Sequence, residues 1–485
     1  MHGSVVPSFV SIAQSVFKLT AILLSTSSLC FADTLYTDQN KLFKSARNVG
    51  PLGASLFGDK VNLYTGTLEF VQTDVVLPGN NRLPVSVGRR LIAGQDPKDG
   101  LFGAWDLEIP HLHGVFSLFR GWASSSGNVG ARCTGFGAPP QESGSYGSIS
   151  KWNATEFWHG NFLYIPGVGD QELLTRSSTN VIAPSSGSYP VVTRNNWQIR
   201  CLSAMDPANG STGEAFIAVS PEGIEYRFDW MVSRQLPILT KSSWMPEALS
   251  TSLSSGNESS LRIEPGEEPM INADSNGLAR AEVWILPTRI SDRFGNSVNY
   301  VYDTVNKWQL KTITANDGSG TPRTITFSYI APGSIDSNLV RSISDGTRTW
   351  TYRYGGTNGR GPLQSVTLPD NSAWQLEGLS SLTNGIQYLG DGDCDQPGMV
   401  NDFPLSATAT HPSGAIGEFL LKPVRHGRVG VPNSCIHYVD LNVYRANYPK
   451  EFDTFSLAKK VITGPGLPRM EWSTSFSAPV SGWAP

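Results

Sequence analysis

The chain has 485 residues, with 37 Lys and Arg against 41 Asp and Glu, a formal charge of −4 and a pI near 6.0. Charged residues are only 16% of the total and no basic run or patch occurs, which excludes nucleic acid as an expected partner on electrostatic grounds. The 49 Gly, 32 Pro and 10% aromatic content favour β-strands separated by turns, and no long stretch carries a 3.6-residue apolar period.

The first 32 residues read as a secretory signal peptide. Lys18 precedes an apolar core that begins Leu19-Thr-Ala-Ile-Leu-Leu24, and Ala32 is a small residue at the expected cleavage point. An uncleaved anchor is the alternative reading. That core is short for a bilayer, and no later stretch approaches about 18 unbroken apolar residues. The mature chain, from about Asp33, is therefore expected to lack a transmembrane segment and to be exported: periplasmic, cell-surface or extracellular.

Residues 33–240 read as an opening β-domain. Thr37–Arg47 is expected to form one short helix, ended by Gly50-Pro51. Val61–Val71 alternates as a strand, with Gly66 as a bend or bulge, and Phe102–Ile109 alternates as a second. Phe216–Val219 and Tyr226–Phe228 read as a hairpin. Ser, Glu, Pro and Asn crowd residues 241–280, a composition that buries little, so this span is expected to be an exposed loop or linker.

From 281 to 485 the chain reads as phased hairpins. Arg289–Asp303 closes one strand at Ile290 and Asp292, turns at Phe294-Gly295-Asn296, and continues with Val298, Tyr300 and Tyr302 on one face. The unit recurs as Leu310–Ile313 with Thr324–Tyr329, as Arg341–Ile343 with Trp350–Tyr354, and as Gln364–Val366 with Ala373–Leu376. The turn positions are Asp292, Asp317, Asp345 and Asp370, a period of roughly 25 residues that signals stacked supersecondary units. His411–Leu421 reads as a further, degenerate hairpin. The fold class expected is all-β, an antiparallel hairpin sheet preceded by an all-β domain.

Four cysteines follow the leader: Cys133, Cys201, Cys394 and Cys435. In an exported chain they suggest two disulfides, with three possible connectivities. Cys133–Cys201 and Cys394–Cys435 are preferred because each pair stays within one apparent domain; free buried thiols are the alternative. Asp391, Asp393 and Asp395 sit on a Gly-rich loop and are weak Ca²⁺ candidates, against a solvated turn. His111 and His113 share a strand face and His159 could join them on a metal, against hydrogen-bonded structural histidines. No nucleophile elbow, zinc-protease helix, phosphate loop or dinucleotide motif is present, so no catalytic residue and no cofactor is expected. Trp350, Tyr352, Tyr354 and Trp374 have faces suited to stacking on sugars, against filling a β-core.

A strand, an Asp-Gly-type turn and a strand ending in Tyr or Tyr-Asp resembles the YD repeat of the Rhs family (rearrangement hotspot proteins), with Tyr302-Asp303 as the namesake pair. Gly58-Asp-Lys-Val-Asn-Leu-Tyr-Thr-Gly-Thr-Leu68 is similar to the segment that opens many such proteins. Asp74-Val-Val-Leu-Pro-Gly79 and Leu83-Pro-Val-Ser-Val-Gly-Arg89 follow as they do there. The resemblance spans residues 55–90 and 215–430. It implies hairpins that build a hollow shell around a toxic C-terminal domain, with carbohydrate binding associated with the repeats. The chain departs from that pattern: it has few units, no Asp-Pro-x-Gly closing segment and no distinct toxin domain. Enclosure and self-cleavage are therefore not expected of this chain alone, and because Thr463-Gly-Pro-Gly-Leu-Pro468 and Trp472 end it without a capping pattern, it reads as a truncated product or as one that needs a partner. The function expected is an exported, non-enzymatic scaffold or binding protein, in interbacterial competition, toxin delivery or surface adhesion. Its candidate partners are glycans, a cell surface or a downstream toxin or shell segment. An extracellular carbohydrate-active enzyme on an all-β scaffold is the alternative.

Overall fold

Strands ending in Tyr set the architecture. Thr349–Tyr354 reads exposed-buried three times over, with Trp350, Tyr352 and Tyr354 inward and Thr349, Thr351 and Arg353 outward. Arg323–Tyr329, Ser297–Tyr302 and Ala373–Glu377 repeat the same inward alternation with Ile325, Phe327 and Tyr329, with Val298, Tyr300 and Tyr302, and with Trp374 and Leu376. A period of two puts one side of each strand in the core and the other in solvent. In the computed structural model strand accounts for 54% and helix for 4%, without a closed barrel, so the fold is all-β. The structure describes residues 33–34, 48–49, 56–77, 83, 85–95, 100–145, 151–177, 187–240, 277–316, 322–330, 338–356, 361–389, 398–427, 435–438, 443–446 and 451–476. The leader, the helix expected at Thr37–Arg47, Asp317, and Asp391, Asp393, Cys394 and Asp395 lie outside these residues, as does the side chain of Cys435.

The hairpins form one antiparallel ribbon. Ser297–Tyr302 pairs with Leu310–Asn316, and the ladder continues through Arg323–Tyr329, Val340–Ser344, Thr349–Tyr354, Leu363–Thr367 and Ala373–Glu377. It then runs on through Leu405–Thr410, Ile416–Gly427, Glu451–Gly464 and Leu467–Ser473, so the hairpin expected at His411–Leu421 is present and others follow it. The turn aspartates act as small clamps. Asp292 Oδ1 accepts from the amides of Phe294 and Asn296, Asp345 Oδ1 from those of Thr347 and Arg348, and Asp370 Oδ1 from that of Ser372. Side-chain donors, Asn296 for Asp292 and Ser372 for Asp370, lead in holding these two carboxyls below the usual range. Gly295, Gly346 and Asn371 supply the positive φ that each reversal needs.

A tyrosine anchor recurs with the turns. Tyr302, Tyr329 and Tyr354 each end a strand at a register shift, where one extra residue bends the ribbon. Each donates its hydroxyl proton to a main-chain carbonyl: Tyr302 to Pro287, Tyr329 to Leu310 and Tyr354 to Val340, all at 2.8 Å. Burial pushes all three phenols above their ordinary range, so they remain protonated donors. The repeat is thus a repeat of hydrogen bonding as well as of hydrophobicity.

Gly277–Ser291 joins this ribbon to the rest of the sheet. One edge pairs along its length with Glu225–Thr240; the other pairs with His111–Ser117 and then with Ser297–Tyr302. His111–Ser117 pairs in turn with Asn161–Ile165. The span read as a linker therefore ends earlier than 280: Gly277–Arg280 is buried strand, paired with Leu236–Thr240, the last residues before that span. The hairpin expected near 216–228 is formed by Ala215–Val219 and Glu225–Thr240.

A second sheet, with strands Asn48–Val49, Asp59–Asn62, Leu68–Val76, Ser86–Ile92 and Asp106–Leu107, packs on the buried side of the ribbon. Phe57 meets Trp374 and Phe419 edge-on at 6.2 and 5.9 Å, Phe70 meets Phe419 at 4.8 Å, and Phe102 meets Tyr352 at 4.9 Å. Asp74 accepts from Arg89 Nε at 3.0 Å and from the Tyr352 hydroxyl at 2.9 Å, tying the second sheet to a ribbon aromatic. Backbone bonds from Val340 to Leu101, from Gly94 to Leu382 and from Leu457 to Gly66 complete the seam. Both sheets share one hydrophobic core.

Two segments expected as strands fold otherwise. Val61–Val71 is not one strand but a hairpin, because the Asn62 side chain accepts from the amides of Tyr64 and Thr65 and Gly66 turns at φ 70°. In Phe102–Ile109 only Asp106–Leu107 is strand; Phe102 donates to the Trp105 carbonyl in a tight turn, so its apolar residues are buried from a loop. The Cys133–Cys201 disulfide is formed, with Cα atoms 5.5 Å apart. Among the described residues no helix is long and apolar enough to cross a membrane.

Candidate functional site: a buried network of acids and bases

Among the described residues, a cluster of acidic, basic and aromatic side chains lies where the second sheet meets His111–Ser117 and Gly277–Ser291. Ser86–Ile92 carries Arg89 and Arg90 to opposite faces: Arg89 to Asp74, Arg90 to Glu69 at 2.6 Å with its guanidinium 4.4 Å from the Tyr164 ring centroid. Tyr164 donates its hydroxyl proton to Glu108 Oε1 at 2.6 Å. Burial raises the Glu108 carboxyl above its usual range, with the charge of Arg90 opposing, and raises the Tyr164 phenol well above its own. In both groups burial disfavours the charged form.

The two histidines stand on one strand face, two residues apart. His111 donates from Nδ1 to the Ile109 carbonyl at 2.9 Å, and its ring lies flat on Trp284, centroids 3.7 Å apart and planes 7° from parallel. Burial, reinforced by the charge of His113, holds the His111 imidazole well below its ordinary pKa, so it is neutral. His113 donates from Nε2 to Asp170 at 2.9 Å, and its Nδ1 lies 3.7 Å from Glu282. Glu282 also accepts from Arg234 Nε at 2.9 Å. Arg234 closes the group with a bidentate pair to Asp106 at 2.8 and 3.0 Å, its guanidinium 4.8 Å from the Trp284 ring and 5.7 Å from Trp308. Its carboxylate partners outweigh the desolvation that opposes them and keep it charged.

Glu69, Glu108, His111, His113, Arg234 and Glu282 are all more than nine-tenths buried. Such a network can hold protons and fix strands relative to one another, and it presents no solvent-facing nucleophile. No set of three or more His, Cys, Asp or Glu among the described residues suits a metal ion, so His111, His113 and His159 are not brought together as a metal centre. Trp350, Tyr352, Tyr354 and Trp374 are at most 9% exposed, and their faces serve the core. Asp292, Asp345 and Asp370 serve their turns. Sequence reasoning missed Arg234, Glu282, Glu108 and Asp170. For Arg234 and Glu282 the signal was a charge placed inside a long, largely apolar strand, as in Ala279-Arg280-Ala281-Glu282-Val283-Trp284; Glu108 and Asp170 carried no such signal.

A third histidine, the half-buried His426, gives a pH-dependent expectation. His426 Nε2 lies 2.9 Å from Thr454 Oγ1, its ring is stacked on Phe452, and burial pushes its pKa down to about 4. The unfolded chain takes up that proton near 6.5. Stability present above that pH is therefore lost as pH falls from about 6.5 to 4, by on the order of 3 kcal/mol in total. Thermal unfolding between neutral and mildly acidic pH should show a steeper fall for the native chain than for His426→Gln; equal slopes would remove His426 from the account.

No family model matches this chain, and no curated protein matches it.

Proposed function

We propose that the protein is an exported, non-enzymatic scaffold or binding protein of the Rhs/YD-repeat type. One observation carries this reading: the turn aspartates Asp292 and Asp345 are followed by the strand-ending tyrosines Tyr302 and Tyr354, Tyr329 ends a strand between them, and each tyrosine is tied to a main-chain carbonyl in a ribbon whose inner face is filled by a second sheet. The leader-like first 32 residues and the Cys133–Cys201 disulfide support passage into an oxidising compartment. The outward side of the ribbon, with Thr326, Ser328, Thr351, Arg353 and Gln375, is the surface on which a glycan, a cell surface or a further shell segment would lie. A role in interbacterial competition, toxin delivery or adhesion follows from the same resemblance.

The test is a panel of bacterial and host polysaccharides assayed in parallel for retention of the purified secreted protein and for release of reducing ends. Retention without release is expected. Release that disappears in Glu108→Gln would overturn the scaffold reading in favour of a carbohydrate-active enzyme.

A further inference from the structure

Asp59 and Lys460, 401 residues apart, meet in the core with Lys460 Nζ 2.5 Å from Asp59 Oδ2. Their side chains are 0% and 2% exposed. Asp59 stands on the first long strand of the second sheet, opposite Phe70; Lys460 stands on Glu451–Gly464, paired with Phe419 on one side and Trp472 on the other. The ammonium lies 5.8 Å from the Phe419 ring centroid and 5.4 Å from that of Trp472, and Phe57 and Phe70 pack on Phe419. The second carboxyl oxygen, Oδ1, is buried and has no hydrogen-bond partner among the described residues.

An ion pair in such a place is poorly provided for. Each ion has lost its water, and repaying that cost requires further hydrogen bonds to the remaining lone pairs and protons. Oδ1 lacks that compensation. Moving one proton along the existing hydrogen bond turns the pair into a neutral amine and a neutral carboxylic acid already in contact. That is the reactive form for condensation, with the amine nitrogen already in hydrogen-bond contact with the carboxyl it would join, and both held there by two packed sheets.

We propose that Lys460 and Asp59 become joined by an intramolecular isopeptide bond. The Lys460 amine attacks Cγ of Asp59 and a bond forms between Nζ and Cγ. The remaining proton to be lost from nitrogen passes to the departing hydroxyl, the C–O bond breaks, and one water leaves. Atoms and electrons balance without an oxidant or any co-reactant. The product is a neutral amide, which costs far less to bury than two separated ions. It stitches the second sheet to the last long hairpin of the ribbon, closing covalently a contact that spans almost the whole fold.

The experiment is mass spectrometry of the full, folded, reduced chain, intact and after trypsin. The expected result is a branched peptide containing both Asp59 and Lys460, lighter than the sum of its linear parts by one water, with no cleavage after Lys460. Lys460→Arg, which lacks the primary amine, should restore two linear peptides. Recovery of unmodified linear peptides for both positions from the folded native chain would overturn the proposal, and that result does not depend on whether the variant folds.

Discussion

Replacing Phe419 by Ala is expected to destabilise the protein by about 3–5 kcal/mol, the usual range for removing a buried aromatic from a core that cannot collapse around the space. Phe419 is 1% exposed and receives Phe57 and Phe70 from the second sheet on one ring. Its neighbours belong to strands held in register by their own ladders, so they cannot close the gap without breaking backbone hydrogen bonds. Denaturant unfolding measures the effect. Phe294→Ala is the control: Phe294 sits at a hairpin turn, 74% exposed, and its loss should change stability by no more than about 0.5 kcal/mol. Similar values for the two variants would show that the sheets do not depend on each other.

Arg234→Leu is expected to cost about 3–5 kcal/mol for a different reason. The leucine keeps much of the apolar contact with Trp284 and Trp308, but Asp106 and Glu282 lose the cation between them. Removing one member of a buried pair leaves charge without compensation, and that penalty exceeds what the intact pair contributes. Adding Glu282→Gln to Arg234→Leu should recover part of the loss, because one of the stranded charges is then gone. A double variant as unstable as the sum of its parts would show that the two side chains act independently.

Much of the ribbon was legible in the sequence because its rules are local. Trp350-Thr-Tyr-Arg-Tyr354 carries its own inward and outward faces, and Asp345-Gly346 carries its own reversal. Each signal is complete within a few residues, so the hairpin at His411–Leu421 could also be read. The second sheet was less legible. The turn in Val61–Val71 depends on the Asn62 side chain capturing two amides, which competes with strand pairing in a way that alternation alone does not reveal. Phe102 and Trp105 look like strand residues because burial, not strand geometry, selects their apolar character.

The candidate site was the least legible part. The His111–His113 spacing was visible, and reading the pair as structural agrees with the contacts to Ile109, Trp284 and Asp170. The partners were not visible, since Arg234 and Asp106 are 128 residues apart and only the sheet topology brings them together. The same holds for Asp59 and Lys460. What the sequence offered was the anomaly itself, an ionisable residue in a strand otherwise built to be buried.

Native-state hydrogen exchange, followed on peptides from Leu68–Ile92 and from Ser297–Glu377, tests most directly whether ribbon and second sheet form one unit. Both sets are expected to open with one shared free energy, which Phe419→Ala lowers in both together. Rapid exchange throughout the second sheet while the ribbon keeps its protection, in the native chain or in the variant, would contradict this expectation.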